Sequence, residues 1–180
     1  MAADVQYLKS LVENIHSTTI ATIGADGHPQ TRVIDMMLYD EQGVYFLTAK
    51  GKAFYAQLME QGYIALSATK DKISISLRGK IKNIGSEKLD EIFEKNTYMQ
   101  SIYPGDTRSA LEVFCLYEAD GEYFDISDRP GAHRPGQLHH WQSGTGSTRL
   151  LCGRRLHRLQ AVLFRLSAEV HRHLKEAGGH

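Results

Sequence analysis

Apolar and polar residues alternate along the first two thirds of the chain with two different periods. Between Asp4 and Ile15 the apolar residues recur every three or four positions, which predicts an amphipathic helix with Asp4 at its start. Beyond this segment, short runs rich in Thr, Ile and Val are separated by Gly and Asp, which predicts strands joined by turns. The predicted strands span residues 17–24, 29–39, 44–48, 63–69 and 72–84, with two more inside 111–126.

Two further segments return to the helical period, residues 52–61 and residues 86–96, and the second has Ser86 as its predicted N-cap. The tripeptides Ala25-Asp26-Gly27 and Ala119-Asp120-Gly121 are typical of hairpin turns. Short turns between consecutive strands favour antiparallel pairing. We therefore expect a mainly β, α+β fold, a small antiparallel barrel with peripheral helices. The sequence has no G-x-G-x-x-G or Walker loop, which argues against a Rossmann or P-loop enzyme.

The formal net charge of zero conceals an uneven distribution along the chain. Residues 1–128 carry 12 basic and 19 acidic side chains, a net of −7, whereas residues 129–180 carry 9 basic and 2 acidic side chains, a net of +7. We therefore expect a folded domain over 1–128 and a basic, Arg- and His-rich tail over 129–180 that is disordered or fortuitously helical. The bulk charge argues against a generally basic nucleic-acid binder.

Composition also bears on where the protein acts. The two cysteines, Cys115 and Cys152, make no disulfide framework and fit a reducing compartment, and Cys115 lies in an apolar run typical of an inert core thiol. The sequence has no run of eighteen apolar residues, and residues 1–14 lack the apolar core of a signal peptide. We expect a cytoplasmic protein that binds neither membranes nor nucleic acid.

One cluster of polar residues has the composition of a phosphate site. The segment Thr48-Ala49-Lys50-Gly51-Lys52 supplies a hydroxyl, two ammonium groups, a flexible glycine and the N–H groups of a helix start. A hairpin between 32–39 and 44–48 would bring Arg32 close to Thr48. The alternative is that these cations are solvated side chains around the end of a strand.

The motifs around this cluster resemble those of the FMN-binding split-barrel family related to pyridoxamine 5′-phosphate oxidase. A strand ends in G-x-P-x-x-R, here Gly27 to Arg32. A D-x-x-G turn, an apolar strand ending in Thr48 and a Lys-bearing loop and helix then follow in order. The resemblance covers roughly residues 5–126. It implies a split β-barrel and a homodimer with FMN in a cleft between the subunits.

The resemblance also implies roles for particular residues. It assigns the FMN phosphate to Arg32, Thr48, Lys50 and Lys52. The strand whose backbone lines the isoalloxazine ring corresponds to Val33, Ile34 and Asp35, and Leu47 flanks the flavin. Two features depart from the true oxidases: Met36-Met37-Leu38 replaces a region that carries a Lys, and the C-terminal Arg and His pattern that holds pyridoxal phosphate is missing. A vitamin B6 substrate is therefore not expected.

The tail after Asp128 allows three interpretations. It can be a flexible basic linker followed by an amphipathic helix, whose apolar stripe would be Leu156, Leu159, Leu163, Leu166, Val170 and Leu174. With its arginines, this helix could contact nucleic acid or an acidic membrane. Alternatively, the tail is a frameshifted translation, because reading each codon one base later permits the run C-x-x-C-x-x-C-x-x-x-C-P, the ligand pattern of bacterial iron–sulfur clusters.

The frameshift hypothesis follows the family resemblance, since some split-barrel flavoproteins carry a ferredoxin-like C-terminal segment. It places the shifted frame from roughly 129–156 onward, and it requires the bases TG at the second and third positions of the Leu159 and Leu166 codons. The protein as translated lacks the cysteine ligands, so we expect it to bind no cluster and no metal.

Three functions remain open on the sequence. The first is an FMN-dependent oxidoreductase or electron-transfer flavoprotein acting on a small organic substrate or a redox partner. The second is a non-catalytic flavin- or haem-binding barrel, although only His16 and His28 precede the tail. The third is a basic-tailed interaction protein. No nucleophile–base pair is evident in 1–128, so catalytic residues stay unassigned; Tyr103, Asp106 and Arg108 could face a substrate but fit a surface loop better.

Overall fold

The computed structural model describes residues 3–125 and the backbone of one further strand at 138–142. Helix α1 (Ala3–Lys9) continues as a π-helix over Ser10–Ile15. The other helices are α2 (Ala53–Gln61), α3 (Leu89–Lys95) and α4 (Met99–Ile102), and a 3₁₀ segment spans Gly105–Ala110. The strands are β1 (Ser17–Ile23), β2 (Pro29–Asp35), β3 (Leu38–Asp40), β4 (Gly43–Ala49), β5 (Tyr63–Lys70), β6 (Ile73–Asn83), β7 (Leu111–Asp125) and β8 (Leu138–Gln142).

The described strands form one antiparallel sheet that curls into a half-barrel, as the sequence predicted. Their order is β2-β1-β5-β6-β7-β4-β3, and β8 pairs with the second half of β7. The helices lie at the periphery. β2 and β3 are therefore the two ends of the main path, although only two residues separate them along the chain.

The predicted strand 29–39 is two strands, and the break lies at Met36 and Met37. The Met36 N–H donates to the His16 carbonyl at the start of β1, while the Met37 N–H donates to the Tyr45 carbonyl on β4, each at 2.8 Å. Both methionine side chains are buried. The chain thus crosses from one end of the sheet to the other within two residues, which a continuous hairpin could not do.

The hairpin predicted at Ala119-Asp120-Gly121 is wrong, because these residues lie inside the continuous strand β7. They pair with Gly79, Arg78 and Leu77 of β6. The two glycines allow close approach of the strands: a Cβ on Gly121 would lie 2.2 Å from Cδ2 of Leu77, and a Cβ on Gly79 would lie 1.9 Å from the Glu118 carbonyl oxygen. Gly121 therefore allows two strands to approach closely, and it does not form a turn.

The helix predicted over 86–96 begins later than expected. α3 starts at Leu89, and its N-cap is Lys88 in a left-handed conformation, with no side-chain capping hydrogen bond. Ser86 does not cap the helix; its carbonyl accepts the N–H of Leu89 in a preceding turn. Lys88 is instead held by Asp40, whose carboxylate lies 2.7 Å from its ammonium group.

Two apolar clusters hold the half-barrel together. The larger lies between α1, α2 and the sheet and includes Ile20, Met36, Phe46, Leu58 and Phe114; the smaller lies under α3 and α4 and includes Met37, Tyr45, Ile92, Val113 and Cys115. Cys115 is fully buried, and burial raises the pKa of its thiol to about 11. The prediction of an inert core thiol agrees with this environment.

The expectations for the tail fall outside the described residues. Four predictions concern residues that are not described: the domain boundary at 128, the leucine stripe, the frameshift and Cys152. They remain predictions. The one element described after residue 125 is strand β8. Across the part of the chain described, no helix is long and apolar enough to cross a membrane, and no group of three His, Cys, Asp or Glu side chains could hold a metal ion.

Replacing Gly79 with Ala tests the close contact between β6 and β7. The added methyl group would overlap the Glu118 carbonyl, so the variant should lose about 2 kcal/mol or more of unfolding free energy. Urea denaturation followed by circular dichroism measures this change. Ser76→Ala, at an exposed position of the same strand, is the control and should shift the midpoint little.

Candidate functional site

The N-terminus of α2 has the properties of an anion site. Gly51, at φ 85°, turns the chain from β4 into the helix, and Lys52 takes the N-cap position in an extended conformation without a side-chain capping bond. The first intrahelical bond runs from the Ala56 N–H to the Lys52 carbonyl. The N–H groups of the first turn, Ala53 to Tyr55, therefore have no side-chain cap and point outward from the positive end of the helix dipole.

Arg32 reaches this helix from β2. Its Nη1 donates to Thr22 Oγ1 at 2.8 Å and to Gln57 Oε1 at 3.0 Å, and its Nη2 donates to Gln30 Oε1 at 3.3 Å. The guanidinium carbon lies 4.3 Å from the centre of the Phe54 ring. Burial lowers the pKa of Arg32, but an arginine keeps its charge. The guanidinium is thus fixed beside the first turn of α2, with no carboxylate among its described partners.

Thr48 contributes a buried hydroxyl at the end of β4. The residue is 4% exposed, and its Oγ1 has no hydrogen-bond partner among the described residues. A buried polar atom without a partner is costly, so such an atom beside a helix start is an indication of a missing ligand.

Lys50 differs from the other cations of the site because an acid holds it. Its ammonium group lies 3.6 Å from Oε1 of Glu112, the residue directly opposite Thr48 on β7. Oε2 of Glu112 accepts bonds from the Tyr55 hydroxyl and the Asn83 amide, each at 2.6 Å. These two bonds, and then Lys50, keep the pKa of Glu112 below its ordinary value. Sequence analysis missed this network, since no spacing relates residues 50, 55, 83 and 112.

Arg32 and Thr48 are not paired through a hairpin, and that expectation was wrong. β2 pairs with β1, and β4 pairs with β3 and β7. Arg32 arrives instead on the inward face of β2, opposite the buried Ile20, and meets α2 through Phe54 and Gln57. Gln57 and Thr22 complete this arrangement, and neither gave a signal in the sequence.

The residues assigned to the flavin ring divide between two strands. Val33 is 69% exposed and alternates with Arg32 and Ile34, so it faces outward on β2, an end strand of the described sheet. Asp35 bonds to Ser17 and Tyr98. Leu47 lies on β4 opposite Val113 and packs against the smaller apolar cluster, so β2 is not its pairing partner.

The three loop residues considered as substrate contacts belong to the surface, as the sequence favoured. Arg108 forms an ion pair with Asp90 and lies over the Phe93 ring. Tyr103 packs against the smaller cluster, and Asp106 is exposed in the 3₁₀ segment.

Comparison with known proteins identifies the family. Residues 5–135 match the model of the pyridoxamine 5′-phosphate oxidase family, which covers most of the chain. The chain belongs to this family. No curated protein matches the sequence.

Several solved structures share the fold at low sequence identity. A NimC/NimA family protein from Clostridium acetobutylicum is 16% identical with a TM-score of 0.59, covering 70% of this chain and 91% of its own. A pyridoxamine 5′-phosphate oxidase-related, FMN-binding protein from Nostoc punctiforme is 13% identical with a TM-score of 0.53, covering 84% and 94%. A haem-binding protein from Mycobacterium smegmatis is 10% identical with a TM-score of 0.54, covering 72% and 57%. These likenesses show the split-barrel fold.

The charge on Glu112 should make stability depend on pH. Its pKa is lower in the folded protein than the ordinary 4.5, so its contribution is complete above that value and is lost as pH falls below it through the folded pKa. Glu112→Gln keeps the shape of the side chain but cannot ionise. We expect the variant to be less stable than the wild type at pH 7 and the gap to shrink at pH values below about 4.5.

Chemical denaturation at a series of pH values measures that gap. Glu91→Gln is the matched control, because Glu91 lies on the exposed surface of α3, where it pairs with Lys95 and, at a longer distance, with Lys88. The difference in unfolding free energy between this variant and the wild type should be small at every pH, because exposed ion pairs contribute about 0–1 kcal/mol. A Glu112→Gln gap that stays constant through acid pH would contradict the assignment.

Proposed function

We propose that the protein binds FMN and acts as an oxidoreductase or electron-transfer flavoprotein on a small organic substrate or a redox partner. The observation that carries this proposal is the α2 N-terminus, where uncapped N–H groups, the fixed cation Arg32 and the partnerless Thr48 hydroxyl lie on adjoining elements. A phosphate monoester needs several donors and a net positive charge, and these residues supply both.

The charges near this helix suit a phosphate that carries close to two negative charges. Arg32, Lys50 and Lys52 provide three positive charges and Glu112 removes one. Lys50 is engaged by Glu112, so Arg32 and Lys52 are the cations most available to the phosphate. Thr48 Oγ1 would donate the neutral hydrogen bond that it lacks in the described structure.

The ring of the flavin is assigned to the outer side of β2. A strand at the end of a sheet has backbone N–H and C=O groups on one side without strand partners, and Val33, Ile34 and Asp35 lie on such a strand. These backbone groups can bond the polar edge of an isoalloxazine. The family resemblance also assigns Leu47 to the flavin, but in this chain Leu47 packs against the smaller apolar cluster on β4 and does not adjoin β2. When bound, FMN supplies the capacity to accept and return two electrons, while the protein supplies position and local charge.

A vitamin B6 phosphate is a poor candidate for the substrate. The family's oxidases carry a Lys where this chain has Met36-Met37-Leu38, and all three of these side chains are buried in the apolar clusters. A second phosphate-bearing ligand would find no cation there. We therefore propose a substrate that needs no second cation. The protein would act on it as a homodimer, as the family resemblance implies, and in the cytoplasm, as its composition favours.

The surroundings of His16 and His28 favour FMN over haem as the cofactor. These are the two histidines whose side chains the structure describes. Both ring nitrogens of His16 have partners, the Val12 carbonyl and the Tyr98 hydroxyl, and His28 is exposed at the turn between β1 and β2. Within residues 3–125, neither imidazole is directed into the barrel as an axial ligand.

Loss of a cation should weaken FMN binding through the phosphate alone. We expect Arg32→Ala and Lys52→Ala to raise the FMN Kd about tenfold or more, and Lys50→Ala to have a smaller effect because Glu112 already neutralises that side chain. Titration of FMN fluorescence against the purified protein measures the three affinities.

Riboflavin provides the ligand control, because it has the same ring and no phosphate, so the variants should bind it as the wild type does. Lys95→Ala is the protein control, since Lys95 is similarly exposed and also pairs with a glutamate. Unchanged FMN affinity in both Arg32→Ala and Lys52→Ala would show that the phosphate lies elsewhere. Purified protein that takes up no FMN would overturn the proposal, and failure of bound FMN to be reduced by NAD(P)H or dithionite would overturn its redox role.

A further inference from the structure

Four polar side chains meet at the end of β2, on the side away from Arg32. Tyr98, which immediately precedes α4, donates its hydroxyl to Asp35 Oδ2 at 3.1 Å, and its oxygen lies 2.9 Å from Nε2 of His16. Nε2 of His16 is 3.6 Å from the same carboxylate oxygen. Asp35 Oδ1 accepts a 2.5 Å bond from the Ser17 hydroxyl. The cluster joins β1, β2 and the α3–α4 segment.

The backbone holds His16 in an unusual conformation that aims its ring at Tyr98. His16 has φ 70° and ψ −62°, a region that side chains other than glycine rarely adopt. Its N–H donates to Leu11 and its carbonyl accepts from Met36, each at 2.8 Å, so both neighbouring elements fix it. Nδ1 lies 3.3 Å from the Val12 carbonyl, which can only accept, so Nδ1 carries a hydrogen.

The single hydrogen of the Tyr98 hydroxyl has two possible acceptors in the cluster, His16 Nε2 and Asp35 Oδ2. With the hydrogen on Nδ1, Nε2 of His16 can accept a hydrogen bond, and Asp35 offers a carboxylate oxygen. The Tyr98 hydroxyl has a single hydrogen and lies within hydrogen-bond distance of both. Tyr98 is 39% exposed, so a ligand can reach it. This arrangement is typical of a group that gives up and recovers a proton.

The cluster also lies on β2, the strand whose open edge is assigned to the flavin ring. Side chains two residues apart share a face of a strand, so Val33 and Asp35 project from the same side, opposite Thr19 and Ser17 of β1. Val33 is 69% exposed and forms an apolar surface directly beside the polar group. An exposed apolar side chain next to converging polar atoms suits a planar ligand with a carbonyl oxygen.

We propose that Tyr98 is the proton donor of a reduction carried out at this site, with His16 and Asp35 as its positioning residues, and that the substrate is a quinone or another conjugated carbonyl compound. The inference rests on the proposed binding of FMN. It goes beyond that function by assigning a catalytic residue and a substrate class.

The step balances with reduced FMN as the reductant. The quinone gains two electrons and one hydrogen as hydride from reduced FMN, and a carbonyl oxygen gains the second hydrogen as a proton from Tyr98. The product is a hydroquinone, and FMN is left oxidised. The Tyr98 phenolate recovers a proton directly from solvent, since Tyr98 is 39% exposed. Asp35 keeps the phenol oriented throughout.

Burial, and then the charge of Asp35, raises the pKa of Tyr98 to about 12. The phenol therefore holds its proton at neutral pH and is available as a donor to a strongly basic oxygen that forms on hydride transfer.

The test uses the full chain loaded with FMN, reduced with dithionite without oxygen and mixed with menadione as the quinone. We expect Tyr98→Phe to slow reoxidation of the flavin about 100-fold in a single turnover and to abolish the solvent deuterium isotope effect of the wild type. His16→Asn should slow it less, and asparagine tolerates the positive φ better than most residues. Thermal melting confirms that each variant is folded.

A second measurement does not depend on turnover. A tyrosine next to a flavin ring quenches its fluorescence by electron transfer, so bound FMN should be brighter in Tyr98→Phe than in the wild type. Tyr63→Phe is the control for both measurements, since Tyr63 is exposed on β5 and lies outside the cluster. It should change neither the rate nor the fluorescence.

The outcomes separate this inference from the proposed function. A wild-type protein that binds no FMN overturns both. If Tyr98→Phe binds FMN normally and menadione reoxidises it at the wild-type rate, Tyr98 is not the donor and the flavoprotein assignment still stands.

Discussion

The crossing of the chain at Met36 and Met37 is the constraint on which the rest of the structure depends. Two consecutive N–H groups bond to opposite ends of the sheet, one to His16 and the other to Tyr45 of β4. The two buried side chains divide between the two apolar clusters. Because extended backbone alternates its side chains, fixing this point also fixes the faces of β2: Arg32 and Ile34 turn inward, and Val33 and Asp35 turn outward.

That division of faces separates two kinds of chemistry on one short strand. On the inner face, Arg32 lies over Phe54 and bonds to Gln57, which places a permanent cation beside the uncapped start of α2. On the outer face, Asp35 gathers Ser17 and Tyr98 beside the exposed Val33.

The apolar interior also explains why this member of the pyridoxamine 5′-phosphate oxidase family is not expected to share the oxidases' substrate. Met36-Met37-Leu38 occupies the region where those enzymes carry a Lys, and here it is needed to seal both clusters. A cation at Met36 or Met37 would be buried without a partner, at a cost of several kcal/mol. These three residues therefore serve packing in this chain, which supports the proposal that its substrate differs from that of the oxidases.

The sequence alone determined the local elements, because periodicity and turn residues act over a few positions: the mainly β class with peripheral helices and helix α2 could both be read from it, and the site residues Arg32, Thr48 and Lys52 stay predictions. It misplaced the features that depend on distant neighbours. Ala119-Asp120-Gly121 has the local form of a turn, but pairing with β6 keeps it extended. Only the tertiary structure brought Gln57 to Arg32, Glu112 to Lys50 and Tyr98 to His16, since these pairs are 25, 62 and 82 residues apart and no local pattern records which strands become neighbours.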